Sequence, residues 1–278
     1  AVLSSHPEVE VTMYTQHPDK WQQHFIVDDP KGKQYVGMLK TISNNPADII
    51  PTADIILFCL PAFLVEQTLE TIKPYLSSKT IIGSVVGNTG FFIFSHKVLA
   101  DQPIGLFAFQ RVPYISRVVE YGKKAFLLGY KDKLLIATEH ISNPQEFCND
   151  ISMLFCTPTI LLQSFYEVTL SNSNPILHTG RLYSMWKDWN GEHYKNNSLF
   201  YTSWTDEASD LLIKMDQEFF CLLYKLGVST EHLPTLLQHY DVHDAKSLTQ
   251  KIKSIPAFSN ILSPMKQTPN GWTPDFES

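Results

Sequence analysis

His178 is the residue of this chain best suited to moving a proton near neutral pH, and its setting is specific. It closes the stretch Ser171-Asn-Ser-Asn-Pro-Ile-Leu-His178, in which Pro175 fits the first position of a helix and Asn174 the residue that caps it. Asn174 and His178 then stand four apart, on one face of that helix. A His beside a side-chain amide at a helix start suits acid–base work on a polar substrate group, because imidazole titrates near neutrality. A helical His also often does no more than pack or face solvent, and that is the competing reading.

A second constellation sits where strands end. In open α/β sheets, ligands lie beyond the carboxyl ends of the strands. Four such ends are Tyr14-Thr-Gln-His17, Cys59-Leu-Pro-Ala62, Val86-Gly-Asn-Thr-Gly90 and Phe109-Gln-Arg111. Gly87 and Gly90 would let backbone approach a ligand closely, while Asn88 and Thr89 can donate to phosphate or ribose. With Leu60 and Pro61 they compose a nucleotide site, although each end alone also reads as an ordinary strand-to-helix turn. At the first end, Thr15, Gln16 and Lys20 present donors and a cation, with no acid before Asp19. That favours the 2′-phosphate of NADP over the free 2′-OH of NAD. Arg181 and Arg111 are the expected substrate-binding cations. His239 and His243 have a chelating spacing, but no third ligand or H-E-x-x-H pattern accompanies them, so no metal site is expected.

The elements that position these residues follow from periodicity. Val9 to Thr15 alternates apolar and polar residues, Gly37 to Ile42 is a weaker strand, and Ala53 to Leu60 is a continuous apolar run of strand length. Phe63 to Leu76 has helical spacing, with Phe63, Leu69 and Ile72 on its apolar face. Lys79 to Val86, Ile104 to Phe109 and Lys124 to Gly129 are further strands, with a helix from Phe91 to Ala100. Strands alternating with helices imply βαβ units and a mostly parallel sheet. Near Pro144 the character changes. Glu146 to Phe155, Asn174 to Trp189, Asp206 to Leu226, Thr230 to His239 and Ala245 to Ile252 read as helices, with Gly227 stopping the third and a short strand at Thr159 to Leu162. The layout is a Rossmann-like α/β domain over 1–145 and an all-α helical domain over 146–278.

Composition limits the function. The 278 residues are 44% hydrophobic and 18% charged, too apolar for a disordered chain. A net charge of −6 lacks the basic face that nucleic acid requires. No apolar run approaches the roughly 20 residues of a membrane span, so neither nucleic acid nor membrane is an expected partner, and the cytoplasm is the expected compartment. The four cysteines, without a C-x-x-C pair, read as reduced and mostly buried thiols. Ala1 to Ser5 reads as the tail of a helix and Gly271 to Ser278 stops on turn residues, so the chain reads as cut at both ends.

Three segments, ADIILFCLPAFLVEQTLETIKPYL (53–76), TLSNSNPILHTGRLY (169–183) and LFYTSWTDEASDLLIKMDQEFFCLLYKLGV (199–228), resemble the octopine/nopaline (opine) dehydrogenase family. The first is shared with many Rossmann proteins; the second and third, in that order, are more specific. The resemblance implies an NAD(P)-dependent dehydrogenase acting on CH–NH donors. Its amino acid and 2-oxo acid substrates are reductively condensed, and a homodimer is the assembly to look for. His178 matches the family's catalytic His, and Asn174 the neighbouring position that orients substrate or nicotinamide. The family's glycine fingerprint would precede Ala1. The aspartate partner of the His lies in a segment expected beyond Ser278, whose motif Asp275 does not match. Two other readings stay open: a ketopantoate-reductase-like 2-oxo-acid reductase, which would use a helical-domain Lys, and a non-catalytic Rossmann nucleotide sensor or interaction module.

Overall fold

The computed structural model describes residues 1–87 and 90–276, and the chain parts into two units, Ala1–Ser171 and Asn172–Ser278, each with its own core. The first unit opens with β1 (Val11–Tyr14), β2 (His24–Asp28) and β3 (Gln34–Ser43), with β1 parallel and β2 antiparallel to β3. The β2–β3 turn is held by the Asp29 carboxylate, which accepts the Lys31 and Lys33 N–H groups at 2.9 and 2.7 Å and the Tyr130 hydroxyl at 2.6 Å. Next come β4 (Ile55–Phe58), α1 (Val65–Ile72), β5 (Ile81–Val85), α2 (Phe91–Val98) and β6 (Gly105–Phe109). These make two successive strand–helix–strand units in which β4, β5 and β6 are parallel. The hairpin of β7 (Tyr114–Glu120) and β8 (Lys124–Tyr130) joins the first sheet, whose order is β1-β3-β2-β8-β7. Strand β9 (Leu134–Glu139) returns antiparallel to β6. After α3 (Pro144–Leu154), β10 (Thr159–Leu161) lies parallel to β9, so the second sheet runs β10-β9-β6-β5-β4. A short α4 (Tyr166–Thr169) closes the unit.

Strand β6 shows why this sheet needs helices on both faces. All five of its residues are buried, and their side chains alternate between faces. Leu106 and Ala108 pack with Leu69, Ile72, Phe91 and Phe92 from α1 and α2. Phe107 and Phe109 pack on the opposite face with Phe147, Ile151 and Phe155, supplied by α3 and the residue after it. Complete burial of one such side chain contributes about 1.5–3 kcal/mol, so two-sided cover is worth far more than any single turn or cap.

The structure departs from the sequence reading in several places. The unit boundary falls at Ser171/Asn172 rather than near residue 145, because α3 and β10 build onto the first unit's core and sheet. Strands β2, β7 and β9 are additional, and antiparallel pairs interrupt the parallel pattern. Phe63 is 79% exposed rather than on the inner face of α1. The chain enters that helix through a tighter turn over Ala62–Leu64, which puts Phe63 out of phase with Val65, Leu69 and Ile72. The thiols are free as expected, but only Cys148 is buried; Cys59 lies past the end of β4, Cys156 in the turn after α3, and Cys221 faces outward.

The second unit comprises α5 (Asn174–Trp186), α6 (Asp206–Lys225), α7 (Leu236–Tyr240) and α8 (Ala245–Ser254) around Leu177, Trp204, Leu212, Leu248 and Ile252. Thr205 caps α6, its hydroxyl accepting the Ala208 N–H at 3.2 Å, and Gly227 (φ 65°) ends it as expected. Helix α7 is shorter than the reading of 230–239. Pro234 and the Thr235 capping box start it late, with the Gln238 side chain closing the box. The unit is not all helix, since β11 (Met265–Thr268) and β12 (Gly271–Pro274) form an antiparallel hairpin. Among the described residues no helix is long and apolar enough to cross a membrane.

Asp216 of α6 is buried, and its Oδ2 accepts the Leu236 N–H at the start of α7 at 3.0 Å. Burial raises its pKa from 3.8, outweighing that hydrogen bond. The sign follows: stability from this group is full below pH 3.8 and is lost as pH rises through the elevated folded value. Asp216→Asn, which keeps an acceptor without the desolvated charge, should therefore unfold at a higher temperature than the parent at pH 7. Asp216→Ala should lose about 1–3 kcal/mol by orphaning the Leu236 N–H. Urea unfolding of both variants checks this, and a destabilised Asn variant would refute the assignment.

Candidate active site

The second unit builds its candidate site on α5. The helix begins at Asn174 itself, with Ser173 as an N-cap that makes no side-chain hydrogen bond, while Asn172 Oδ1 accepts the Asn174 N–H at 3.1 Å. Asn174 is thus the first helical residue rather than the cap, which moves His178 into the second turn and away from the positive helix end. Both residues are exposed on α5. The Nε2 atom of His178 lies 3.0 Å from the Tyr201 hydroxyl, and its ring meets Phe200 edge-on with centroids 6.0 Å apart. Desolvation on that side lowers the imidazole pKa from its ordinary 6.5. Tyr201 is itself buried, stacked on Phe258 at 4.2 Å, and burial pushes its hydroxyl pKa up, so it stays protonated at neutral pH.

Arg181, expected to face substrate, does something else. It is 3% exposed, and its guanidinium is already engaged. Nε donates to the Phe200 carbonyl at 3.1 Å, and Nη2 donates to the Ser203 carbonyl and hydroxyl at 2.9 and 2.8 Å. The guanidinium carbon also lies 5.2 Å from the Trp204 ring centroid. Burial pushes its pKa down to about 10. Arg181 thus pins the segment 200–204 from within, and that segment carries Tyr201 to His178.

The first unit presents the strand ends. Gly87 is buried, and a Cβ there would come 2.5 Å from Ala108 Cβ and 2.7 Å from Val168 Cγ1. Its N–H donates to the Phe109 carbonyl at 2.9 Å and its carbonyl accepts the Thr169 hydroxyl at 3.0 Å. The close approach that glycine allows here is therefore to β6 and α4, not to a ligand. Asn88 and Thr89 lie outside the described residues. Gly90 takes φ 81° just before α2, whose N-terminus has no side-chain cap. Leu60 is exposed directly before Pro61, and Phe63 adds a second exposed apolar side chain at the carboxyl end of β4. Thr15 Oγ1 accepts the His17 N–H at 3.3 Å, while Gln16 and Lys20 are exposed. Arg111 donates to the Ser171 carbonyl and hydroxyl at 2.5 and 3.1 Å, tying the end of β6 to the last residue of the unit.

Tyr201 and Phe63 are the residues that sequence reasoning passed over. Tyr201 stands in the aromatic run Phe200-Tyr-Thr-Ser-Trp204, where it is the one aromatic with a hydroxyl to spend on a neighbour. Phe63 followed helical spacing too faithfully to be read as exposed.

Residues 161–270 match the family model for the NAD/NADP octopine/nopaline dehydrogenase alpha-helical domain. The chain is 26% identical over 257 residues to the opine dehydrogenase of Haliotis discus hannai, covering 86% of this chain and 63% of that protein, and so spans less than two thirds of it. It is 25% identical over 310 aligned positions to the tauropine dehydrogenase of Arabella iricolor, covering 99% and 77% of the two chains. The solved structure of octopine dehydrogenase with NADH and L-arginine superposes with a TM-score of 0.81 at 21% identity, covering 100% of this chain and 75% of that one. The fold class expected from sequence, a Rossmann-like α/β domain followed by a helical one, is the fold these likenesses share.

Two outcomes follow from the α5 geometry. His178 should titrate with a midpoint below 6.5 in an NMR pH series, and a midpoint above that value would mean its desolvation is misjudged. Arg181→Lys keeps the charge but not the planar fork. It should lower stability by roughly 1.5–3 kcal/mol, the scale of one hydrogen bond to a charged group. Equal urea midpoints for Arg181→Lys and the parent would remove the pinning role.

Proposed function

We propose that the chain is a member of the octopine/nopaline (opine) dehydrogenase family, whose relatives it resembles, and that it serves the NAD(P)H-dependent reductive condensation of an amino acid with a 2-oxo acid. The observation that carries the reading is that the matched helical segment contains His178, exposed on one side and held on the other by Tyr201. In this role Nε2–H donates to the Tyr201 hydroxyl oxygen, leaving Nδ1 as the nitrogen that can accept a proton from substrate. An imidazole with a lowered pKa is neutral at pH 7, ready to take a proton from an attacking amine and return it to the oxygen that leaves as water. Asn174, one turn earlier on the same face, is placed to hydrogen-bond the same substrate group.

The donor chemistry at the first unit's strand ends fits a dinucleotide in part. Gln16 and Lys20, exposed beside Thr15, suit a phosphorylated ribose, and Leu60 with Phe63 offers an apolar wall for a flat ring. A nicotinamide dinucleotide, when bound, supplies the hydride. Arg181 acts in this scheme as a positioning residue, since its donors are spent within the fold.

The test is an assay of the full-length protein with NADH and with NADPH against panels of amino acids and 2-oxo acids. Cofactor oxidation should require amine and oxo acid together, with the higher kcat/KM for NADPH. His178→Ala should lower kcat by about 10²–10⁴-fold, the scale of a general acid–base. Oxidation driven by oxo acid alone would point to a simple oxo-acid reductase instead, and an unchanged kcat would remove His178 from the chemistry.

A further inference from the structure

At the amino edge of β4, β5 and β6, opposite the strand ends discussed above, three ligating side chains converge. His96 lies in the last turn of α2, Glu139 ends β9, and His140 follows it directly. One donor atom from each lies within 4.8 Å of the other two. Successive residues of a strand point to opposite faces, so Glu139 and His140 would ordinarily diverge. Extended pairing stops at Glu139, opposite Leu106, and His140 turns to φ 55°, where the alternation no longer holds. His96 Nε2 already meets Glu139 Oε2 in a short polar contact.

A second observation points to the same place. A cavity of about 320 Å³ adjoins the cluster, lined among others by Ser95, His96, Leu99, Gln102 and His140. Ser95 Oγ and Gln102 Oε1 are buried without a hydrogen-bond partner, and Ser95 is 0% exposed. Buried polar atoms of native proteins are satisfied by protein, water or a ligand, so two orphans lining one cavity mark it as a place where something polar resides. The neighbouring charges are otherwise spent, Asp101 on Lys73 and Lys97 on Glu66.

We propose that His96, Glu139 and His140 bind a divalent transition metal of the zinc type, with water from the adjoining cavity in the fourth position. Two imidazoles and one carboxylate are a recognised zinc donor set, and the nitrogen ligands select against magnesium and calcium. Ligand atoms bound tetrahedrally at about 2.0–2.2 Å lie roughly 3.4 Å apart, so coordination asks the three donor atoms, now within 4.8 Å of one another, to adjust only modestly. The metal clips the end of α2 to the end of β9. A water on it reaches into the cavity, where Ser95 Oγ and Gln102 Oε1 lack partners.

The experiment is titration of the purified protein with ZnCl₂ against a chromogenic chelator, and with Co(II) followed by its visible d–d absorption. The parent should take up one equivalent with four- or five-coordinate Co(II) bands. His96→Ala and His140→Ala should each weaken uptake by at least the roughly 10–100-fold typical of losing an outer-sphere partner. Glu139→Gln preserves size and surface polarity, so it tests the ligand role should an Ala variant unfold, and it should weaken uptake likewise. The competitor is Cys156, whose Sγ lies 3.8 Å from His6 Nε2. Binding that survives His96→Ala/His140→Ala but disappears in Cys156→Ser would overturn the proposal, as would no stoichiometric uptake by the parent.

Discussion

A guanidinium withdrawn from water and surrounded by neutral acceptors is the constraint on which the helical unit's site rests. Arg181 cannot be neutralised in any ordinary pH range, so its burial is tolerable only if carbonyls and a hydroxyl converge on it. Phe200 and Ser203 supply them, and supplying them fixes the path of the chain between α5 and α6. The aromatic rings beside that path then take the only places left: Trp204 faces the guanidinium and Tyr201 stacks on Phe258. The Tyr201 hydroxyl consequently emerges beside His178 rather than elsewhere in the core. The setting of His178 on α5 thus depends on a cation whose donors are spent within the fold. A planar fork with several fixed donors can hold two carbonyls and a hydroxyl at once, which an ammonium on a flexible stem does poorly.

The α/β unit solves a different problem, that of closing strand ends without closing the edge. Just past β5, Gly87 lets β6 and α4 approach to within contact of its backbone, and both of its polar groups are taken. At β4 the exit stays open, with Leu60 and Phe63 in solvent. Arg111 binds Ser171 at the end of β6. Gly87 and Leu60, each just past a strand end, therefore have opposite surroundings, decided by what packs against them. Turn chemistry cannot distinguish them.

That difference accounts for much of what the sequence did and did not reveal. The continuous apolar run Ala53 to Leu60 was legible as a parallel-sheet strand because two-sided burial removes the polar alternation, and Lys79 to Val86 as a further strand beside it. Helix α6, read as Asp206 to Leu226 with Gly227 as its stop, was legible to within a residue. Strand β7 was not, since it is an exposed edge whose burial pattern carries no periodicity. The resemblance pointed to His178 and Asn174, and the structure finds both exposed on one helix, but the hydroxyl partner of His178 comes from a loop 23 positions away. Arg181 reads from sequence as a substrate-binding cation, although it lies one turn after buried Leu177 on the same helix face. Its acceptors, which belong to the chain's three-dimensional path, show it to be internal.

The reversal at β9 completes the logic of the sheet. In a purely parallel arrangement every strand begins at the amino edge, and the residues found there are those that follow helices, usually short connections. Because β9 runs antiparallel to β6, a strand instead ends at that edge, and its last residues, Glu139 and His140, reach the level at which α2 finishes. Helix α2 must finish there, since its length is set by the crossover from β5 to β6. Two elements that are remote in sequence and constrained for separate reasons are thereby brought face to face with His96 and Glu139 in contact. The same antiparallel return that places Phe107 and Phe109 under α3 on one face creates this polar junction at the edge. Core packing sets where β9 lies, and the junction's side chains follow from that placement rather than from any local motif.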